Sequence, residues 1–270
     1  MNNLKDKIKE AYAGILENQP QVTSCCGTGT ASQAPSCCGP STELTGFSED
    51  YSALPGYNSD ADYGLGCGIP VAFAGIEEGH TVLDLGSGAG NDVFVARSLV
   101  GEKGKVIGVD MTPAMIERAN QNKAKLGFEN VEFILGDIEN LPLPDNSIDT
   151  VISNCVLNLV SDKLATYKGI HRVLKPDGHF SISDVVVSGP LTEKLSGIVE
   201  LYAGCIAGAM VKSDYLKTIQ NAGFKDIVIR KERVVYLPDS FLLQYVNEQE
   251  LIEFRSTGVQ VLSVTVNAKK

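Results

Sequence analysis

Apolar and polar positions alternate with two different periods between about residues 81 and 187. Five short runs are almost continuously apolar, as expected of strands buried in a sheet: TVLDL, KVIGVD, VEFILGD, IDTVISN and HFSISDVVV. The segments between them have helical spacing: NDVFVARSLV, TPAMIERANQNKAKLG and about 161–174. Thr112 and Pro113 mark the start of the second helix. The alternation predicts an α/β fold with a doubly wound, mostly parallel, Rossmann-like sheet.

The two ends of the chain follow other patterns. The first residues, MNNLKDKIKEAYAGILENQ, predict an amphipathic helix, and the uncharged Ser-, Gly-, Pro- and Cys-rich stretch after them predicts a mobile arm. Beyond about residue 190, two helical stretches (191–207 and 212–222) precede the β-rich runs DIVIRKERVVYL and VQVLSVTV, which predict a smaller α+β cap. The predicted organisation is therefore a helix and flexible Cys-rich arm (1–66), a core domain (67–187) and a C-terminal cap (188–270).

Composition limits the classes of partner. The 270 residues carry a formal net charge of −10, which argues against nucleic acid and anionic membrane surfaces and favours a neutral or cationic ligand. No stretch is long and apolar enough to span a bilayer. We therefore expect a cytoplasmic protein, in which thiols stay reduced. Seven cysteines in that compartment indicate burial, metal binding or catalysis.

Polar and glycine residues at the predicted strand ends indicate a nucleoside site. Asp84 precedes a glycine turn in VLDLGSGAG, and Asp110 ends the second strand at the spacing of a carboxylate that binds ribose hydroxyls. Asp137 ends the third strand, where it can reach an adenine amino group. The candidate cofactor-binding residues are Asp84, Gly86, Ser87, Gly88, Gly90, Asp110, Met111, Asp137, Ile138 and Asn154. A glycine turn also occurs without a ligand, and these residues alone leave a dinucleotide and S-adenosylmethionine both open.

Three cysteines lie in short, distinctive contexts. Cys67 lies in GLGCGIP, Cys155 in SNCVLNLV and Cys205 in YAGCIAGA. Each could be a small buried hydrophobic residue, which is the usual role of a cysteine without a partner. A structural zinc site would usually show C-x-x-C pairs, and the chain contains none.

The motifs together resemble a known family. VLDLGSGAG, GVDMT, GDIENLPLP, IDTVISN and RVLKPDGHF resemble the class I S-adenosylmethionine-dependent methyltransferases, and the three thiol contexts resemble the arsenite methyltransferases from about residue 60 to 215. The resemblance implies that Cys67, Cys155 and Cys205 bind trivalent arsenic. It also implies a thiol–disulfide relay through Cys38 or Cys37, with a thioredoxin- or glutathione-type reductant. Gly204 stands where some relatives have an acidic residue.

Such a pocket needs no general base. Thiolates select soft, thiophilic arsenic, and three sulfurs leave its lone pair free to attack the sulfonium methyl of S-adenosylmethionine. Asp84 beside the turn suits a cationic cofactor better than a pyrophosphate. We therefore expect methylation of arsenite or its thiol conjugates, for detoxification.

The alternatives are a methyltransferase for a small organic substrate, with structural cysteines, and a thiol-based storage protein for soft metals. Cys25 and Cys26 could pass arsenic on, act as reductants or have no role.

Overall fold

The computed structural model describes residues 48–191, 195 and 208–270, together with positions 6, 9, 10, 12–14 and 16. At these N-terminal positions the backbone is helical, and Tyr12 and Leu16 pack against the apolar core, as the amphipathic pattern predicts. The predicted flexible arm and most of the helical stretch 191–207 lie outside the described residues. So do five of the seven cysteines: Cys25, Cys26, Cys37, Cys38 and Cys205.

The described part of the chain folds around one seven-stranded sheet in the order β3-β2-β1-β4-β5-β7-β6. The strands are β1 (Thr81–Leu85), β2 (Lys105–Asp110), β3 (Val131–Leu135), β4 (Ile148–Asn154), β5 (Leu174–Val187), β6 (Lys225–Val235) and β7 (Val261–Lys269). Strands β1 to β5 pair in parallel, and β7 pairs antiparallel with both β5 and β6. The predicted α/β class and mostly parallel sheet are confirmed.

Helices cover both faces of this sheet. They are α1 (Asn91–Val100), α2 (Pro113–Leu126), α3 (Lys163–Val173), α4 (Lys212–Asn221), α5 (Asp239–Leu242) and α6 (Glu248–Ser256), with 3₁₀ turns at Pro70–Phe73, Ile138–Asn140 and Leu157–Leu159. Residues of α1 and α2 share a buried cluster with Val82, whereas residues of α3 and α4 share another with Leu83 and Leu85. Because successive strand residues point to opposite faces, α1 and α2 lie on one face and α3 and α4 on the other.

Two local features differ from what the sequence pattern alone indicates. Thr112 occupies the N-cap position of α2, but its side chain makes no capping hydrogen bond. Strands β6 and β7 belong to the same sheet as β1 to β5, so the predicted boundary between residues 187 and 188 falls within one continuous sheet. An alternating pattern identifies a strand but not its neighbour, and an antiparallel neighbour of β5 needs no helical crossover.

The parallel strands end at a common edge of the sheet. The carboxyl ends of β1, β2 and β4 lie side by side there, since Leu85 pairs with Val109 and with Ser153. Open α/β sheets bind ligands at this edge. In the described part of the chain, no helix has both the length and the apolar composition needed to cross a bilayer.

Candidate cofactor and thiol site

A cavity opens at the carboxyl edge of the sheet, with a volume of about 1150 Å³ including its mouth. Its lining includes nine of the ten candidate cofactor-binding residues: Asp84, Gly86, Ser87, Gly88, Asp110, Met111, Asp137, Ile138 and Asn154. The tenth, Gly90, is absent from the lining; a Cβ there would meet the rings of Phe94 and Phe133 within 2.9 Å. Gly90 therefore allows the turn to pack on the core.

The glycine turn is tied to the end of β2. The amides of Gly86 and Ser87 both donate to the Val109 carbonyl, at 2.7 and 3.1 Å, and Asp110 Oδ2 accepts from the Gly88 amide at 3.0 Å. Gly86 has φ +69°, and a Cβ there would lie 2.4 Å from the Val156 side chain. A side chain at this position would thus clash with the segment that follows Cys155 as well as strain the backbone.

Two buried polar atoms beside the turn have no hydrogen-bond partner among the described residues. They are Ser87 Oγ and Asn91 Oδ1, and both residues line the cavity. Buried polar groups are nearly always paired, so each such atom needs an explanation. Ser87 Oγ packs over β2, since a Cβ at Gly108 would lie 2.6 Å from it.

The cavity is acidic. Seven carboxylate residues line it, and the described lining contains no Lys, Arg or His: Glu49, Asp62, Asp84, Asp92, Asp110, Asp137 and Glu139. Burial raises the pKa of Asp84 well above its usual range, and the nearby Asp92 and Asp110 raise it further. Burial also raises the pKa of Asp110, although amides of Thr112 and Gly88 oppose this. Bringing a cation to these carboxylates would relieve their repulsion, whereas a diphosphate would add to it.

Tyr51 and Asp92 are site residues that sequence reasoning missed. Tyr51 Oη lies 2.9 Å from Asp92 Oδ1, and the Asn154 amide donates to both side chains, at 2.9 and 3.2 Å. Burial raises the pKa of Asp92 to about 6, against the lowering effect of the Tyr51 and Asn154 hydrogen bonds. The position of Asp92 in the first turn of α1, directly after the glycine turn, was a usable signal because acidic residues there often interact with a helix end or ligand. Nothing in the sequence around Tyr51 distinguished it.

The structure brings two of the predicted thiols into one apolar cluster. Cys67 is 0% exposed and Cys155 is 5% exposed, and both belong to the cluster formed with Val185, Phe241 and Phe254. Cys155 lines the cavity; Cys67 is not in the lining, although the preceding Gly66 is. The two segments are joined through Asn154, whose Oδ1 accepts from the Cys67 amide at 2.9 Å.

Cys155 has an unusual backbone. Its φ of +62° lies in the left-handed region, which costs a residue with a side chain about 1 kcal/mol or more, and its amide donates to the Ser183 carbonyl at 2.8 Å. The chain therefore turns sharply out of β4 at the thiol. Within the described residues, no group of three His, Cys, Asp or Glu side chains could hold a metal ion. Because Cys205 lies outside those residues, the predicted three-thiol set stays a prediction, as does the relay role of Cys38 or Cys37.

Comparisons with known proteins agree with this architecture. A family model described as a methyltransferase domain matches residues 76–223. An arsenite methyltransferase of Halobacterium salinarum is 40% identical over 276 residues, covering 98% of this chain and 66% of the relative. A second, from Aquipseudomonas alcaligenes, is 32% identical over 248 residues, covering 89% of this chain and 68% of the relative. The chain belongs to the arsenite methyltransferase family. The predicted family is thereby confirmed.

A solved structure in the same family has the same fold. The arsenic(III) S-adenosylmethionine methyltransferase of Chlamydomonas reinhardtii superposes with a TM-score of 0.65 at 40% identity, over 76% of this chain and 67% of that one. The chain thus spans about two thirds of the length of these relatives, and 66% of the Halobacterium protein.

Proposed function

We propose that this protein transfers a methyl group from S-adenosylmethionine to trivalent arsenic, converting arsenite to methylated arsenicals and so detoxifying it. One observation carries the proposal: an acidic cavity without a described cationic lining residue borders directly on a thiol, Cys155. The acidic part suits a cofactor with an ammonium and a sulfonium group. The thiol suits a soft, thiophilic acceptor.

The cavity residues fit this cofactor. S-adenosylmethionine, when bound, supplies a methyl group activated by a positively charged sulfur. Asp84 would hold a cationic part of it, Asp110 and Met111 the ribose, and Asp137 and Ile138 the adenine. In this arrangement the carboxylates bind and orient, and none has to act as a base.

Cys67 and Cys155 would bind the arsenic, with Cys205 as the proposed third ligand. Arsenous acid exchanges its hydroxyl groups for thiolates and releases water, so the thiol protons leave at binding and not during transfer. The arsenic lone pair would form the bond to the methyl carbon as the bond from that carbon to the sulfonium sulfur breaks, and the electron pair of the broken bond would stay on the sulfur. Positioning of the two reactants would supply most of the acceleration, up to ~7–11 kcal/mol.

The arm would complete the cycle. Methylation by a lone pair raises arsenic from the trivalent to the pentavalent state, and two thiols that become a disulfide would return the two electrons. We assign Cys38, or its neighbour Cys37, to this thiol–disulfide relay, which a thioredoxin- or glutathione-type reductant regenerates. Attack by a thiolate on a disulfide needs an accessible sulfur, which the small, uncharged residues of the arm predict. Replacing Cys38 by Ser should then impair the first methylation more than later ones, and equal effects on every methylation step would argue against the relay.

The proposal is tested with the full-length protein, arsenite, S-adenosylmethionine and a dithiol, with arsenic products separated and measured by mass spectrometry. Cys155→Ser should lower methylation by at least about 100-fold and leave cofactor affinity within about threefold, because no cavity carboxylate changes. Retained turnover by this variant would refute the assignment. Calorimetric titration with S-adenosylmethionine provides the control, and absent binding would favour a soft-metal storage protein.

A second candidate is a methyltransferase for a small organic substrate. It is favoured by the burial of Cys67 and Cys155 in an apolar cluster, which is also the usual environment of a structural cysteine. The two candidates differ in their response to alkylation of the thiols. Turnover of an organic acceptor by the alkylated protein would support the second, whereas loss of arsenite methylation with retained cofactor binding would support the first.

A further inference from the structure

One side chain connects the two segments that carry the described thiols. Asn154 immediately precedes Cys155, and its Oδ1 accepts hydrogen bonds from the Cys67 amide at 2.9 Å and the Gly68 amide at 3.3 Å. Cys67 and Asn154 are 87 positions apart in the sequence. This contact therefore links the Cys67 turn to the residue before Cys155.

The orientation of the Asn154 amide is itself determined by its surroundings. Its Nδ2 lies 2.9 Å from Tyr51 Oη and 2.9 Å from the Gly68 carbonyl. It also lies 3.2 Å from Asp92 Oδ2. A primary amide has one acceptor oxygen and two N–H donors, and all of them are used here. Turning the amide over would direct N–H groups at the Cys67 amide and an oxygen at Asp92, so only one orientation is favourable.

Tyr51 and Asp92 accept the hydrogen bonds from the amide nitrogen of Asn154 and also bond to each other. The Tyr51 hydroxyl has acceptors at 2.9 Å (Asp92 Oδ1) and 3.0 Å (Gly68 carbonyl). Tyr51 is 3% exposed and Asp92 is 7% exposed, so water competes little for these hydrogen bonds. Buried networks whose members are all paired are stiff, and losing one member weakens the others.

Close packing restricts the turn from two further directions. A Cβ at Gly66 would lie 2.4 Å from Asn154 Nδ2, and a Cβ at Gly68 would lie 2.6 Å from Ser183 Oγ. The Cys67 carbonyl accepts from the Ser263 hydroxyl in β7. The turn is thus in contact with β4, β5 and β7 at once, and the glycines are what allow it to approach.

We propose that Tyr51 and Asp92 act through Asn154 as positioning residues, which hold the Cys67 thiol beside Cys155 before arsenic binds. The inference rests on the proposed function and deepens it, since it assigns roles to residues that touch neither a thiolate nor the arsenic. A site that binds one ion through two sulfurs loses affinity when binding itself must order one of them. The network removes this cost by ordering Cys67 in advance.

The test uses phenylarsine oxide, an arsenical that condenses with two thiols, forms two As–S bonds and releases one water. The background is the full chain with the other five cysteines replaced by Ser: Cys25, Cys26, Cys37, Cys38 and Cys205. In this background Tyr51→Phe should raise the Kd of phenylarsine oxide about tenfold. Asn154→Asp keeps an acceptor for Cys67 but places an oxygen opposite Asp92, and should raise the Kd at least as much.

The matched control is Tyr167→Phe. Tyr167 is also a fully buried tyrosine with a hydroxyl hydrogen bond, to Tyr215 at 2.8 Å, but it lies on the other face of the sheet. The Kd of the Tyr167→Phe variant for phenylarsine oxide should change by less than about twofold. Equal Kd values for Tyr51→Phe and Tyr167→Phe, or a parent that does not bind phenylarsine oxide, would overturn the inference.

This measurement needs neither cofactor nor turnover. If the affinity for phenylarsine oxide depends on the network but the protein methylates no arsenite, the proposed function is refuted and the positioning role stands. Circular dichroism and a urea midpoint for each variant separate loss of the turn from loss of the fold. If Tyr51→Phe is unfolded, Asn154→Asp carries the same comparison with Tyr167→Phe.

Discussion

Two buried carboxylates on opposite sides of the sheet have different surroundings. Asp92 lies in the first turn of α1, lines the cavity and accepts hydrogen bonds from the neutral side chains of Tyr51 and Asn154. Asp184 is 0% exposed in β5, where its Oδ1 accepts from the Val185 amide at 3.1 Å and its Oδ2 has no partner among the described residues. Burial raises both pKa values, to about 6 for Asp92 and to about 7 for Asp184.

The difference lies in what surrounds each carboxylate. The environment of Asp184 is the apolar face packed by Tyr167 and Tyr215, with Lys163 near enough to oppose the effect of burial. The hydroxyl and amide around Asp92 instead favour its ionised form, and the same groups hold the Cys67 turn. The donors around Asp92 thus also position the Cys67 turn, whereas the unpaired oxygen of Asp184 costs stability. Four substitutions test this comparison.

The largest effect is expected from Asp184→Asn. Because the folded-state pKa is raised from 3.8 to about 7, Asp184 destabilises the protein increasingly as the pH rises from about 4 to about 7, and by a constant amount above. The variant should therefore gain about 2–4 kcal/mol in free energy of unfolding at pH 8 and almost nothing near pH 4. Urea titrations at both pH values measure this, and an equal gain at both would contradict it.

Asp84→Asn should lower the affinity for the cofactor, whereas Asp184→Asn should not. Removing a carboxylate that no described residue pairs with should weaken S-adenosylmethionine binding by about 100-fold, or about 2.7 kcal/mol, because the cofactor loses a buried opposite charge. Calorimetric titration measures the affinity. Asp184→Asn serves as the control, and its cofactor affinity should match that of the unmodified protein. A loss of affinity in both variants would break the distinction between the two acids.

Gly66→Ala should disturb the hydrogen bonds of Asn154 beside the cavity and lower the methylation rate. The new Cβ would meet the Asn154 amide, so the network must shift, at a cost of about 1–3 kcal/mol in the free energy of unfolding. Methylation should fall further than that of a variant destabilised equally elsewhere in the core. An unchanged rate would show that the Cys67 turn can move without consequence.

Gly169→Ala is expected to have the smallest effect, and of opposite sign. Gly169 lies inside α3 on the other face, with nothing within 4 Å of a Cβ placed there. Alanine loses less backbone entropy on folding, so the free energy of unfolding should rise by about 0.5–1 kcal/mol. Turnover should not change. Thermal unfolding at constant pH measures the gain, and a destabilised variant would contradict the open space beside α3.

Much of the fold was predictable because its strands are locally encoded. The observed bounds of β1, β2 and β4 coincide with the predicted apolar runs. Strand β5 begins at Leu174, five positions before the predicted run, because Leu174 pairs with Ile148 of β4 across an irregular register. That pairing depends on a neighbouring strand, so the pattern of one segment could not reveal it.

The residues of the candidate site also fall into two groups: those that one segment of the sequence reveals and those that only long-range contacts reveal. Asp84 and Asp110 were predictable because parallel strands end at a common edge, and an acid at the end of an apolar run is visible in one segment. Tyr51 was not predictable, because its role depends on Asp92 and Asn154, which lie 41 and 103 positions away in the sequence. A tyrosine in a polar segment has many ordinary roles, and only burial against these two residues distinguishes it.

The sequence by itself determined the order of strands and helices and the acidic, glycine-rich strand ends, because backbone periodicity and turn geometry act over a few neighbouring residues. Only the tertiary structure decided that β6 and β7 complete the sheet and that the Cys67 amide donates a hydrogen bond to Asn154, the residue before Cys155. These contacts join positions tens of residues apart. Their energy comes from burial and mutual hydrogen bonding, which exist only once the chain has folded.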